Sequence, residues 1–275
     1  MASSTSLPAV ASLWVGDSLM WLHELSLASF VQRGHEVVLF YTGKTAPRVP
    51  AGVLTCPAAE IWDPAAAGHG DAPASMLSDL FRLYLLKQTE MIWIDTDMLC
   101  YRPLPDVDYH VGYEPTRSIN GAVLRLPKDS ATLNHLLDWF EDPGFVPPWL
   151  NRKIKKEVEA APPGKRLLTA FELQRPSLGP RALDYTLNET GEVKHVREPD
   201  VFYPIRGVLT DVLFSGNCQE DGWLTDDTLA IHLYASMVRR YHKAHRPEKH
   251  SFIARLAEEI GFDLSGLKHQ KQGNE

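Results

Sequence analysis

The sequence predicts an α/β fold in which helices flank a central, mostly parallel mixed sheet. Short apolar strands alternate with amphipathic helical segments along the first hundred residues, and such β-α-β units favour a parallel sheet. The run MIWI at 91–94 is apolar on both faces, as expected of a central strand. With 275 residues, of which 44% are hydrophobic and 23% charged, the chain can bury a sizeable core.

The first half of the chain is predicted to contain four strands and two helices. In order they are a strand at 10–16, a helix at 18–33, a strand at 35–43, a short strand near 53–56, a helix at 75–88 and a strand at 91–94. Gly34 is placed to cap the first helix at its C-terminal end. Because 44–74 is rich in Pro, Gly and Ala, we expect mostly loop there.

The second half is predicted to contain three strands, three helices and one irregular segment. They are strands at 108–115 and 119–127, a helix at 130–141, an irregular insertion at 142–166, a helix at 179–191, a strand at 228–237 and a helix at 252–262. His232 lies at the centre of that late strand, and the tail after Gly266 is predicted to fray.

Composition excludes several classes of protein. A net charge of −7 argues against a protein that grips nucleic acid by its phosphates, which needs a basic surface. Cys56, Cys100 and Cys218 are odd in number and far apart, which argues against a disulfide framework or a zinc knuckle and predicts a reducing cytoplasm. There is no apolar run of about 18 residues, and the N-terminus lacks a basic region before its apolar residues, which predicts a soluble chain with no transmembrane segment.

Two aspartates follow the apolar strand in MIWIDTDMLC at 91–100. In extended backbone, residues two apart point to the same side, so Asp95 and Asp97 are predicted to face one spot, roughly 6 to 7 Å apart. A divalent cation would relieve their repulsion and leave positions for substrate phosphates. Alternatively, each aspartate caps a backbone group in a turn. Spacing alone leaves both interpretations open.

A second acidic residue and an arginine lie on the preceding helix. Asp79 and Arg82 are at i and i+3, opposite the main apolar stripe, which normally means a solvated ion pair. Leu83 and Leu86 share that side, however, so the pair is predicted to be covered. A covered Arg beside a phosphate site can bind oxyanions while the Asp orients it or holds hydroxyls.

Three segments together resemble the DxD sugar-binding region of glycosyltransferase family 32, which groups yeast initiation-type mannosyltransferases with bacterial capsule and lipopolysaccharide galactosyltransferases. These segments are SLWVG at 12–16, SDLFRLYLL at 78–86 and IWIDTDMLCYRPL at 92–104. The resemblance implies a GT-A fold, a nucleotide-sugar donor and a divalent cation, Mn²⁺ or Mg²⁺. It departs from the family at Glu90, Met91 and Trp93, where Gly-Gly and Tyr are often found.

The resemblance also implies roles for individual residues. Trp14 would stack near the base, Asp79 and Arg82 would contact the donor sugar and phosphates, and Asn120 and Gly121 would face the donor sugar. Asp97 would ligate the metal, and His232 would be a further ligand. Asp95 would contact the ribose, a metal-bound water or the metal itself. Apart from the resemblance, Asp184 and Glu114 are the first acidic candidates near the reaction centre.

The implied domain is single, spanning 1–275. It would have a nucleotide-sugar-binding half at 10–125, an acceptor-side half at 126–240 and a C-terminal helix and tail at 241–275. The implied function is metal-dependent, retaining transfer of a hexose from a UDP-sugar to a glycan or lipid-linked acceptor, in which Asp95, Asp97, Arg82 and Asp184 take part. Peripheral contact with a membrane stays open.

Two other functions remain open. One is a non-catalytic nucleotide-sugar-binding module. The other is a phosphatase of the haloacid dehalogenase kind, whose DxD usually follows the first strand and precedes Thr or Val where this chain has Leu99. A Rossmann dehydrogenase is disfavoured, because GDSLMW after the first strand lacks the glycine spacing of a pyrophosphate turn.

Overall fold

The computed structural model describes residues 6–175, 177–217 and 222–268 and confirms the predicted α/β class. The strands are β1 (Val10–Trp14), β2 (Val37–Tyr41), β3 (Val53–Pro57), β4 (Ile92–Ile94), β5 (Met98–Cys100), β6 (His110–Tyr113), β7 (Ile119–Arg125) and β8 (Ala230–His232).

The central sheet has the strand order β3-β2-β1-β4-β7-β6. The first four strands of that order run parallel, whereas β7 is antiparallel to both β4 and β6. This is the mostly parallel mixed sheet that the sequence predicts. β5 and β8 pair antiparallel in a separate two-stranded sheet.

Helices cover both faces of the central sheet. They are α1 (Trp21–Gln32), α2 (Ala74–Gln88), α3 (Ala131–Glu141), α4 (Arg152–Ala160), α5 (Arg166–Leu173), α6 (Pro180–Thr190), α7 (Pro199–Phe202), α8 (Arg240–Ala244) and α9 (Phe252–Glu259), with 3-10 helices at Ala58–Glu60, Glu192–His195 and Gly207–Phe214. Within the described ranges, no helix is both long enough and apolar enough to cross a membrane.

The core explains why β4 is apolar throughout. Trp93 packs into the cluster that contains α2, α3 and α6, while Ile92 and Ile94 pack into the cluster on the other face, with Phe30 of α1. All three β4 side chains are at most 1% exposed. A strand buried on both faces shows no alternation of polar and apolar residues.

Two predictions about the second half are wrong in detail. The segment 142–166 is not irregular throughout, because it contains α4. The Asn151 side chain caps that helix by accepting from the Lys153 and Ile154 amides, and Val158 is buried. Basic residues on the exposed face of α4 hide its short apolar stripe in the sequence.

The second correction concerns the late strand. β8 has only three residues, so His232 is its last residue rather than its centre, and it pairs with β5 outside the central sheet. α9 confirms the final predicted helix, but the predicted fraying falls partly on 269–275, outside the described residues. The division into donor and acceptor halves stays a prediction.

Candidate metal and ligand site

The candidate site lies where the order of the strands reverses. From β1 the chain proceeds to β2 and β3 on one side, and β4 then joins β1 on its other side. In open α/β sheets, ligands bind outside the carboxyl ends of the strands at this point. Trp14 ends β1, and Asp95 directly follows β4.

The two aspartates lie in a tight turn rather than in extended backbone. The Asp95 amide donates to the Ala122 carbonyl at 2.7 Å, and the Met98 amide donates to the Asp95 carbonyl at 3.0 Å, which starts β5. The predicted extended geometry is therefore wrong. The predicted convergence is nevertheless observed, because one ligand atom from each of Asp95, Asp97 and His232 lies within 4.8 Å of the others.

Asp95 belongs to a group that we call the arginine half, made of Asp79, Arg82, Trp93 and Asp95. Arg82 is 6% exposed, and its Nη2 lies 3.2 Å from Asp79 Oδ1 and 3.3 Å from Asp95 Oδ1. The Trp93 indole also donates to Asp95 Oδ1, at 2.7 Å, and the Arg82 guanidinium carbon lies 5.0 Å from the centre of the Trp93 ring. The prediction that this pair is covered is confirmed.

Backbone groups complete the environment of Arg82. Its Nε donates to the Ser78 carbonyl at 3.1 Å, and its Nη1 donates to the Gly121 carbonyl at 2.9 Å. A Cβ atom at Gly121 would lie 2.7 Å from that Nη1, so only glycine permits this close approach. The sequence prediction placed Gly121 against the donor sugar, whereas in the structure its carbonyl oxygen accepts a hydrogen bond from Arg82.

Asp79 is packed against the N-terminal end of α6. A Cβ atom at Gly179, the residue before this helix, would clash with the Asp79 carboxylate, at 2.8 Å from its Cγ. Burial raises the pKa of Asp79 to about 7, and the charge of Asp95 acts in the same direction, against the opposing effect of Arg82. Asp79 is therefore a carboxyl group that changes charge near neutral pH.

Asp97 belongs to a second group, the histidine half, made of Asp97, His232, Tyr234 and Ala235. Asp97 Oδ1 lies 3.3 Å from His232 Nε2, and Asp97 Oδ2 accepts from the Ala235 amide at 2.8 Å. Burial alone would raise the pKa of Asp97, but the charge of His232 and its hydrogen bond hold that pKa below its usual range. Burial lowers the pKa of His232, whereas the negative charge of Asp97 raises it. The net result is a pKa above the usual value for histidine.

Tyr234 was missed by the sequence reasoning. Its ring centre lies 3.8 Å from that of His232, and its backbone has φ of 48°, a left-handed conformation that is uncommon outside glycine. Its hydroxyl group lies near Glu114, whose carboxylate accepts a hydrogen bond from the side-chain amide of Asn120. No local pattern marks Tyr234, because its partner Glu114 lies 120 positions away in the sequence.

The remaining predicted residues fall in different places. Asn120 lines the cleft, but its side chain also donates to Glu114 and accepts from the Ala122 amide at 2.8 Å. Trp14 packs its ring 4.7 Å from the His23 ring, and within the described residues its buried indole N–H has no hydrogen-bond partner. Asp184 is exposed on α6 and is not among the residues that line the cleft.

Two clefts flank the first turn of α2. The main cleft has a volume of about 280 Å³ and is lined by Ser75, Ser78, Asp79, Arg82, Asp95, Asn120, Phe171, Arg175, Pro180 and His232. The side cleft, of about 360 Å³, lies against Val15, Tyr41, Pro57 and Leu77, at the carboxyl ends of β1, β2 and β3. Arg175, which adds positive charge to the main cleft, was not predicted.

The donor set fits a hard divalent cation. Carboxylate oxygens suit Mg²⁺ and Mn²⁺, and imidazole extends the choice towards later transition metals. The chain fixes Asp95 through Trp93 and fixes Asp97 through the Ala235 amide, as metal ligands are commonly held by a second layer of hydrogen bonds. Asp95, Asp97 and His232 can therefore hold a metal ion.

Comparisons with known proteins add little to this geometry. No protein-family model and no curated protein matches the chain. Among solved structures, the PaToxG glycosyltransferase is similar over 68% of this chain and 77% of that chain, with 14% identity and a TM-score of 0.36. A similarity of this size carries no argument about function, and family 32 membership stays a prediction.

Proposed function

We propose that the protein is a metal-dependent glycosyltransferase of family 32 type with a GT-A fold. It moves a hexose from a nucleotide-diphosphate sugar, with UDP-sugars as the first candidates, to a hydroxyl group of a glycan or glycolipid. The single observation that carries the proposal is the convergence of Asp95, Asp97 and His232 within 4.8 Å, beside the buried Arg82. The family resemblance adds retention of configuration at the anomeric carbon.

The residues of the two halves would have different tasks. A bound Mn²⁺ or Mg²⁺ would supply positive charge to stabilise the leaving diphosphate. Asp97 and His232 would hold that ion, and Asp95, already oriented by Trp93, would complete the set. Arg82 would provide a permanent positive charge in the wall of the main cleft, where burial strengthens its effect on a developing negative charge.

The clefts suggest how a donor would lie. The main cleft would take the sugar and diphosphate, because it combines Arg82 and Arg175 with the hydroxyl groups of Ser75 and Ser78. The side cleft would take the nucleoside, since it lies at the ends of the parallel strands beyond the first turn of α2. Trp14, the last residue of β1, would stack near the base, as the family resemblance implies.

Location and acceptor are part of the same proposal. Cys56 and Cys100 are free thiols, which supports a reducing, cytoplasmic environment. A lipid-linked acceptor would be reached at a membrane surface, whereas a glycan acceptor would be reached in solution.

A screen of nucleotide sugars tests the proposal. Thermal shift and release of nucleoside diphosphate are measured for UDP-, GDP- and ADP-sugars, each with Mn²⁺, with Mg²⁺ and with a chelator. We expect one donor class to stabilise the chain in a metal-dependent manner and to release diphosphate faster when an acceptor is added. Metal-dependent binding without release would instead identify a binding module.

The same screen addresses the phosphatase alternative. Release of inorganic phosphate from small phosphate esters, with no effect of nucleotide sugars, would replace the proposal by a phosphatase. The structure gives no support to that alternative, because the aspartates follow β4, the fourth strand along the chain.

A further inference from the structure

A surface beside the site combines exposed apolar side chains with positive charge. We call it the rim surface and define it by Met20, Arg206, Val208, Leu209, Met237, Arg239, Arg240, Tyr241 and Lys243. Val208 is 74% exposed and Met237 is 50% exposed, and exposed apolar side chains that lie together, unlike scattered ones, mark an interaction site. Most of the exposed large apolar residues in the described part of the chain belong to this surface.

Contacts between two segments make the surface continuous. Gly207 lies against Met237, since a Cβ atom there would be 2.7 Å from the Met237 sulfur. At the other end of the contact, Asp211 accepts from the Arg239 amide at 3.1 Å and from the Arg239 guanidinium at 2.6 Å. Residues 206–211 and 237–240 therefore present their exposed side chains together.

The start of α1 and α8 extend the surface. The Trp21 indole donates to the Lys243 carbonyl at 3.0 Å, and the His242 ring stacks on Phe214 with 4.7 Å between ring centres. These contacts hold Met20, which precedes α1, and Tyr241 of α8 beside the two segments described above. The rim surface is thus built on packed elements.

The charge of this region is opposite to that of the whole chain. Residues 237–250, MVRRYHKAHRPEKH, contain five Lys and Arg residues and one acidic residue, whereas the chain has a net charge of −7. The acidic Asp211 on the same surface is paired with Arg239. Such a concentration of basic and apolar side chains in an acidic protein favours an anionic partner with an apolar interior.

We propose that the rim surface binds an anionic lipid bilayer. Basic side chains are attracted to anionic headgroups, while exposed apolar side chains enter the boundary with the acyl chains. A second copy of the chain is a poorer occupant, because a symmetric contact would bring the like charges of Arg206 and Arg240 together. An anionic bilayer would both neutralise the positive charge of the rim surface and cover its exposed apolar side chains.

The position of the rim surface connects it to the candidate site. Gly207 touches Tyr234 as well as Met237, and the Tyr234 ring contacts the His232 ring at a tilt, with 3.8 Å between ring centres. A lipid-linked acceptor in the bilayer would therefore lie next to the main cleft, an addition that rests on the proposed function. Binding to the bilayer itself requires neither donor nor metal.

Vesicle binding by the full chain tests the inference without nucleotide or metal. Vesicles of phosphatidylcholine alone are compared with vesicles that also contain phosphatidylglycerol, at low and high salt. We expect binding to be at least about tenfold tighter on the anionic vesicles and to weaken as salt rises. Absence of binding to the anionic vesicles at low salt would overturn the proposal even if glycosyl transfer is observed.

Variants separate the apolar and basic contributions. Val208→Ser with Met237→Ser, and Arg206→Glu with Arg240→Glu, are each expected to weaken anionic-vesicle binding by about tenfold or more. The matched controls, Leu54→Ser with Leu173→Ser and Lys153→Glu with Lys194→Glu, make the same number and kind of changes at exposed residues elsewhere and should bind as the wild type does. Unchanged melting temperatures confirm that each variant is folded.

Two outcomes would refute the assignment. Equal losses in the control variants would mean that the binding is unrelated to the rim surface. Concentration-dependent dimerisation of the wild type that disappears in the rim variants, without vesicle binding, would identify a second copy as the occupant. Nucleoside diphosphate release with a soluble acceptor, measured in parallel, reports on the proposed function independently.

Discussion

The two halves of the site neutralise their carboxylates in different ways. In the arginine half, Asp95 faces a guanidinium whose charge is permanent and an indole N–H. In the histidine half, Asp97 faces an imidazole whose charge depends on its proton. Only the histidine half can therefore exchange its cation for a metal ion, and only the arginine half keeps its positive charge under all ordinary conditions.

The halves also differ in how the chain assembles them. Asp79, Arg82, Trp93 and Asp95 come from one helix and the strand that follows it. Asp97 and Ala235, in contrast, are 138 positions apart and meet because β8 pairs with β5. A change in the arginine half should therefore affect stability as well as function, whereas a change in the histidine half should mainly affect function.

The largest effect is expected for Asp97→Asn. Loss of one carboxylate charge from Asp95, Asp97 and His232 should remove metal-dependent stabilisation by the donor and reduce turnover by about a thousandfold. Thermal shift with nucleotide sugar and Mn²⁺ and steady-state rates provide the measurement. Turnover close to that of the wild type would contradict the functional role of the histidine half.

The next largest effect is expected for Arg82→Ala, and it is on stability. Removal of a buried guanidinium leaves Asp79 and Asp95 uncompensated, which should lower the free energy of unfolding by about 3 to 5 kcal/mol. Urea unfolding measures this loss. A loss below about 1 kcal/mol, typical of surface ion pairs, would show that the arginine half is not structural.

A smaller and pH-dependent effect is expected for Asp79→Asn. The native-state pKa of Asp79 is about 7, against 3.8 unperturbed, so between these values the native state binds more protons and its stability falls as pH rises. The variant lacks this term. Above pH 7, the free energy of unfolding of the variant should exceed that of the wild type by at most about 4 kcal/mol, reduced by the loss of the Asp79–Arg82 ion pair. Near pH 4, we expect no gain.

Unfolding free energies of wild type and Asp79→Asn at several pH values test that sign. A difference that stays constant between pH 5 and 8 would assign the effect to packing. A gain at low pH and none at high pH would contradict the raised pKa.

Gly179→Ala should destabilise by about 1 to 3 kcal/mol, because its Cβ clashes with the Asp79 carboxylate. Gly266→Ala is the control, since a Cβ there meets no atom within 4 Å. Thermal unfolding of both variants gives the comparison. Equal melting temperatures would mean that α6 moves away from α2 without cost.

The smallest effect is expected for Asp184→Asn. Asp184 was a catalytic candidate in the sequence, but the structure places it on the exposed side of α6. The free energy of unfolding should stay within about 0.5 kcal/mol of the wild-type value, as for ordinary surface substitutions, and the turnover rate should be unchanged. A large loss of turnover with unchanged stability would return Asp184 to the site.

Much of the arginine half could be predicted, because its information is local. The i, i+3 spacing of Asp79 and Arg82, with Leu83 and Leu86 on the same side, indicated a covered pair. The histidine half was less predictable. His232 was placed within a longer strand of unspecified pairing, and Tyr234 was not singled out, because neither long-range pairing nor left-handed backbone leaves a periodic pattern.

The sequence by itself determined the α/β class, the apolar β4 buried on both faces and the position of two aspartates at its end. These features depend on periodicity and chain neighbours, which a single sequence displays. Tertiary structure alone decided that a tight turn directs Asp95 to Arg82 and Asp97 to His232, and that Gly121 accepts from the arginine. Those contacts join residues on separate helices, strands and turns, so the packing of these elements sets them.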